Sequence, residues 1–423
     1  MNNKSAAAEA GLFLIMQSRQ ENLKHLFQQE FSKMVAVISK LFGLAHIEIA
    51  EDIVSETFLQ AAETWGTKGI PANPTAWLYA VAKQKTLYHF RRNKIFESKI
   101  LPTLSKEKDI ETEEVDFSPH HIKDSQLQMM FAICNPAIAS EAQIGLALRI
   151  LCGFGIDEIA EAFLTNKETI NKRLFRAKEK LRAEKIEMEL PPDNEISKRL
   201  DNVLHIIYLL YNEGYYSKTQ NEVLRKDLCI EAMRLAGMLT EYERTNLPKT
   251  NALMALMCFH ASRFNARQAS DDVIVLYENQ DETLWDAALI KQGMQFLSLS
   301  AQGNEISSYH LEAKIAYWHC IKQDSPEKWD EILHLYDQLL KINYSPAAAL
   351  NRIFALYKVK GAKVALAETS ELPLENNHFY FVLLGELYKG IDKEKARVNL
   401  EKAFALAKTE TEKQTIMDKI DLL

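Results

Sequence analysis

Between Gly155 and Leu174 the sequence holds two short amphipathic segments separated by Leu164-Thr165-Asn166. Ile156, Ile159, Ala160 and Phe163 share one helical face of the first segment. In the second, Ile170, Leu174, Ala177 and Leu181 follow the i, i+4, i+7, i+11 pattern of a core stripe. Thr165 or Asn166 can cap that second helix. Roughly opposite the stripe lie Glu168, Thr169, Lys172 and Arg176. A helix that presents such side chains can enter a major groove, with Lys and Arg reaching phosphates and guanine edges. The competing reading is an amphipathic hairpin whose basic face is only solvated.

A second surface comes from Ile49 to Trp65. Val54, Phe58, Ala61 and Trp65 form its inward stripe. Asp52, Glu56, Leu59 and Glu63 repeat the same spacing on the other side. An acidic face with one exposed leucine suits a basic, partly apolar partner helix, although on this segment alone a solvated face with a stray leucine is the commoner explanation. Downstream, Asn73-Pro74 reads as a cap followed by a first-turn proline. The helix that follows carries Trp77, Val81 and Tyr88 inward and gathers Lys83, Lys85, His89, Arg91 and Arg92 late. Basic residues among aromatics suit single-stranded or melted DNA, whose unstacked bases lie on aromatic faces, and fit a surface helix with core aromatics equally.

The elements positioning these surfaces are helices. The chain has 423 residues, 47% of them hydrophobic and 26% charged. Gly (14) and Pro (11) make up about 6% against an average of about 12%. That shortage disfavours turn-rich β architectures and points to an all-α fold. The formal net charge is −7, unevenly spread. Residues 1–185 carry 24 Lys and Arg against 23 Asp and Glu; the rest carries 27 against 35. A uniformly basic nucleic-acid coat is excluded; local basic patches are not. Lys106 to His120 is acidic, short of large apolar residues and reads as a tether. Leu190-Pro191-Pro192-Asp193-Asn194 is a second break.

No phosphate-binding glycine loop, zinc-protease motif or nucleophile elbow occurs, so no enzyme activity, cofactor or metal is expected. His120-His121 reads as a solvated pair. Tyr211 to Tyr216 reads as packing, with Gly214 at a helix end. The five cysteines are scattered with no CxxC, which fits a reducing compartment. Leu12 to Met16 is too short for a signal peptide, and no apolar run reaches membrane-spanning length. A cytoplasmic protein without membrane association is expected.

In this order, the segments resemble bacterial RNA polymerase sigma factors of the extracytoplasmic-function group. Ala50-Glu51-Asp52 through Trp65 is similar to the clamp-binding helix of sigma region two. Gly66 to Asn73 is similar to the loop that captures a flipped minus-ten base, and Trp77 to Arg92 to the minus-ten helix. Leu148 to Leu151 with Gly155 to Arg182 resembles region four, a helix-turn-helix that reads the minus-thirty-five duplex. Asn135-Pro136-Ala137-Ile138 and Arg176-Ala177-Lys178 resemble a subclass with an appended tetratricopeptide-like domain. So do Tyr208 to Tyr215, Asn279-Gln280-Asp281 with Trp285, and Ser345-Pro346 to Asn351-Arg352. Phe381, Leu384-Gly385, Tyr388, Ala396, Leu400 and Ala403 approximate one such repeat, and Trp329 to Lys360 another helix pair.

The resemblance implies two small helical sigma domains joined by a flexible linker, then a large repeat-like helical domain. The expected bounds are 20–99 for region two, 100–121 for the acidic linker, 122–187 for region four and 195–423 for a regulatory domain. Core RNA polymerase is implied at Asp52, Glu56, Leu59 and Glu63. Minus-ten DNA is implied at Lys83, Lys85, Tyr88, His89, Arg91 and Arg92. Minus-thirty-five DNA is implied at Thr165, Asn166, Lys167, Glu168, Thr169, Lys172, Arg173 and Arg176. An intramolecular contact between the C-terminal part and the sigma domains is a further expectation. Tyr88-His89-Phe90 departs from the family, which more often has an acidic residue before the Arg pair. The alternative is a one-component helix-turn-helix regulator with a sensing helical domain.

Overall fold

The computed structural model describes residues 23–100, 115–163, 165–215, 225–268, 275, 277–370, 372, 374, 376–408 and 410–423. Side chains at 93–100 and 411 are outside that description, as is the Leu12–Met16 patch. Among the described residues the chain is all-α. It divides into two compact units, Met1–Ile206 and Ile207–Leu423.

The first unit begins with α1, residues 23–42. α2 (Ile47–Lys68) and α3 (Pro74–Ile100) follow. α2 ends where Gly69 takes φ 84°, a conformation that disfavours any side chain. Asn73 Oδ1 accepts the Ala76 N–H at 3.0 Å, opening α3 at Pro74. The remaining helices are α4 (Pro119–Ile133), α5 (Ser140–Leu146), α6 (Ile156–Ala162) and α7 (Lys167–Ala183), with a π turn at Ala147–Leu151 after α5. Residues 101–114 of the expected tether lie outside the described residues. Its last residues are packed: buried Val115 joins Val37 and Ile122, with Leu41, Tyr79, Leu87 and Phe117 against them. The two helical groups therefore share packing within one unit, and Gln126 donates across to Ser32 Oγ at 3.3 Å.

α8 (Asp193–Tyr215) contributes to both units. In the first, Arg199 donates to the Phe131 carbonyl and Asn202 to Cys134 O. In the second, the Tyr211 hydroxyl donates to Met257 O. Gly214 lies inside the last turn of α8. A Cβ there would meet Arg225 O at 2.7 Å, so the glycine permits close backbone approach.

The second unit centres on α10 (Pro248–Ala261), buried nearly all round and flanked by α9 (Lys226–Thr240), α12 (Ala287–Ser300) and α13 (Ser308–Trp318). The short α11 is Phe264–Arg267. From α13 the chain continues as α14 (Pro326–Ile342), α15 (Pro346–Lys360), α16 (Ala362–Thr369), α17 (His378–Tyr388), α18 (Lys393–Leu406) and α19 (Glu410–Asp421). Each of these packs on its sequence neighbours, as stacked helix pairs do. Ser325-Pro326 and Ser345-Pro346 repeat one cap, a serine hydroxyl accepting an N–H of the first turn before a first-turn proline. Gly385 lets α17 and α18 close up; a Cβ there would lie 2.7 Å from Leu400 Cγ.

Candidate functional site

The expected inward stripe of α2, Val54, Phe58, Ala61 and Trp65, is buried. Asp52, Glu56, Leu59 and Glu63 are all exposed, and Leu59 is 60% exposed. An isobutyl side chain held in water between three carboxylates gains nothing for the fold. Glu56 also receives Lys85 Nζ of α3 at 3.2 Å, so the acidic face borders the basic helix directly.

On α3 the sequence reading needs a correction. The buried stripe is Leu78, Ala82 and Thr86, while Trp77 and Val81 are only half-buried and Tyr88 is 68% exposed. The stripe runs one residue away from the aromatic positions, which flank it. Trp77 still meets Trp65 at a centroid distance of 5.4 Å. Tyr88, Arg91 and Arg92 thus present an open aromatic and two guanidinium groups together. His89 is less available, its ring set edge-on to Phe42 at 5.3 Å. Lys83 lines an open cavity of about 370 Å³ with Tyr79, Ala80 and Val115 to Ser118. Tyr79 stacks on Phe117 at 4.8 Å and donates to Glu30; burial, then Glu30, drives its hydroxyl pKa up. The Ser118 N–H holds the Asp116 carboxyl below the usual carboxylate range.

α6 and α7 are joined through residues 163–166, of which Leu164 is outside the described residues. Asn166, and not Thr165, caps α7, accepting the Thr169 N–H at 2.8 Å. Ile170, Leu174, Ala177 and Leu181 are buried as the spacing requires. Glu168, Lys172 and Arg176 are exposed and Thr169 half-exposed. Lys167 pairs with Asp157 at 2.7 Å, and Arg173 with Glu141 at 3.1 Å while lying over the Phe163 ring. These two ties hold α7 to its neighbours, whereas the exposed Lys172 and Arg176 make no ion pair among the described residues. Sequence reasoning missed the exposed Phe175 between them, an apolar ring of the kind that meets thymine methyl groups.

Also missed was the ionic seam joining α2 to the second helical group. Glu51 is 7% exposed. Its Oε1 accepts from Arg149 Nε at 2.9 Å and its Oε2 from Lys178 Nζ at 2.5 Å. The π turn places Arg149, which also donates to Phe154 O and lies over the Phe31 ring. Arg182 adds a bond to Ala45 O at 2.9 Å and a pair with Glu48.

His120 and His121 pair with Asp124 and Asp116, and no metal-holding group of three ligands exists among the described residues. Among those residues no helix is long and apolar enough to cross a membrane. Four of the cysteines are buried free thiols, and burial pushes Cys134 up to about 12, far from a reactive thiolate.

Comparison with known proteins gives the region-two geometry its context. Residues 26–95 match sigma-70 region 2, and residues 199–301 match a family of unknown function, DUF6596. Over 387 residues the chain is 32% identical to an uncharacterized protein of Rhizobium meliloti (strain 1021), covering 89% of this chain and 90% of that one. The chain belongs to one family with that protein and carries a sigma-70 region 2. No solved structure matches it. Region two supports a sigma factor role in transcription initiation, with core RNA polymerase and promoter DNA as partners.

Proposed function

We propose that this chain is a sigma factor of the extracytoplasmic-function group, with residues 195–423 as an in-chain regulatory domain. The observation that carries the proposal is the exposed Asp52, Glu56, Leu59 and Glu63 face inside the segment that matches region two. This face docks on the basic, partly apolar clamp of the polymerase. Tyr88, Arg91 and Arg92 then stack on and neutralise the melted minus-ten strand. Lys172, Arg176 and Thr169 read the minus-thirty-five duplex from α7, with Asn166 fixing the helix start.

Base flipping costs a few kcal/mol, so the chain melts DNA only with polymerase as scaffold. The near balance of charge in residues 1–185 gives little counterion-release affinity to the free protein. Both promoter elements cannot be read with the Glu51 seam intact. Elements about 25 base pairs apart lie roughly 85 Å apart at about 3.4 Å per pair. A compact unit of this size has a radius of gyration of about 17 Å. Polymerase binding therefore parts α2 from α7. A one-component regulator would leave the matched region two without a use.

Reconstitution with purified bacterial core RNA polymerase tests the proposal. The chain co-elutes with polymerase and supports initiation from its own promoter, and deletion of 195–423 changes that output. A folded chain that never associates with polymerase contradicts it.

A further inference from the structure

Asn279-Gln280-Asp281 and Trp285 stand out in the sequence and have no part in promoter binding. In the second unit the Gln280 N–H donates to the Tyr277 carbonyl at 3.3 Å, and Trp285 lies beside the Tyr277 ring. The Trp285 ring stacks near Tyr277 at 6.4 Å and His319 meets it edge-on at 5.1 Å. Three cations crowd the same ring: Lys328 Nζ at 5.4 Å, Arg263 Cζ at 5.5 Å and Lys322 Nζ at 5.9 Å from its centroid.

The two lysines are satisfied by oxygen. Lys328, 1% exposed, donates to the Tyr277 hydroxyl at 3.2 Å and to Ile321 O at 2.5 Å, with Asp324 at 3.8 Å. Lys322 donates to Gln280 O. Arg263 is not satisfied. It is 7% exposed, and among the described residues its side chain has neither a hydrogen bond nor an ion pair; its buried Nε has no acceptor. Buried Trp285 Nε1 and His319 Nδ1 also lack partners among the described residues.

An indole N–H and a guanidinium are donors only, and a guanidinium stays charged in a protein. A buried charge without a partner opposes folding strongly. Groups able to shed charge here do so: burial, then the Arg263 charge, pushes His319 down to about 3 and His260 well below the ordinary range. Arg263 has no such escape, and the Tyr277 ring alone is weak compensation for it. An oxyanion supplies what is missing, accepting two guanidinium N–H bonds in the fork geometry that arginine favours.

We propose that the second unit binds a small ligand bearing a carboxylate or phosphate group, held by Arg263 with Trp285 and His319 as further donors beside Tyr277. The site is independent of the promoter-binding reading and gives this unit a chemical input.

The test uses the full-length chain in anion-poor buffer, titrated with inorganic phosphate and, separately, citrate to about millimolar levels. Thermal unfolding and indole fluorescence are the readouts. At least one anion gives a saturable rise in melting temperature and a change in indole emission. Arg263→Met weakens that binding by about tenfold or more, the loss of a charge-assisted bond. Trp285→Phe keeps a ring, removes the donor and weakens binding severalfold. If neither anion gives a saturable response in the natural chain, the proposal is wrong. It is equally wrong if either folded variant binds as the natural chain does; if Arg263→Met does not fold, Trp285→Phe decides.

Discussion

The Glu51 carboxylate accepts from Arg149 Nε at 2.9 Å, across 98 positions of sequence. Lys178 closes the other oxygen. Glu51 is buried although it adjoins the exposed Asp52 in sequence. Glu51→Gln keeps the shape and removes the charge, leaving two cations under-compensated. Unit one should lose about 3 kcal/mol, read as a lower denaturant midpoint at unchanged slope. Because the pair is buried, added salt should change the midpoint difference little.

Arg176 is exposed on α7 and supports nothing in the fold. Arg176→Glu should leave stability within about 0.5 kcal/mol and polymerase binding intact. It should abolish transcription that depends on the minus-thirty-five element. A reporter with and without that element separates the two effects; equal loss on both would assign Arg176 elsewhere.

Glu312 carries a pH dependence. Burial pushes its carboxyl from 4.5 up to about 7, against the Tyr208 hydroxyl that donates to it at 2.9 Å. Its folded state therefore holds the proton more tightly than its unfolded state. Its contribution is fully present below about 4.5 and is lost as pH rises to about 7. Glu312→Gln should flatten the decline in stability across that window, measured by thermal unfolding at stepped pH.

Gly293 of α12 faces Phe259 so closely that a Cβ would sit 2.7 Å from the ring. Phe259 is fully buried and cannot swing away. Gly293→Ala should cost about 1–3 kcal/mol through overpacking. Gly237, with open space around its missing Cβ, is the control and should tolerate alanine.

The helices and their inward stripes were legible because burial repeats every three or four residues. Val54 to Trp65 and Ile170 to Leu181 lie where their spacing puts them. Tyr88 was misread as inward because a large aromatic looks like core, whereas α3 buries the slimmer Leu78, Ala82 and Thr86. Asp52, Glu56, Leu59 and Glu63 are exposed as expected, since the face opposite a stripe follows from the stripe. The Glu51 seam and the Arg263 cluster left no local trace. Their members come from separate helices and turns, and only tertiary packing makes neighbours of residues with no shared period.

The most direct test of the sigma reading is size-exclusion chromatography of the full chain with purified bacterial core RNA polymerase, beside the Asp52→Arg, Leu59→Arg double variant. Both positions are exposed, so the variant should fold normally. Co-elution of the natural chain, lost in the folded double variant, is the predicted result. Co-elution that survives both substitutions, or a natural chain that migrates apart from polymerase, would contradict the account.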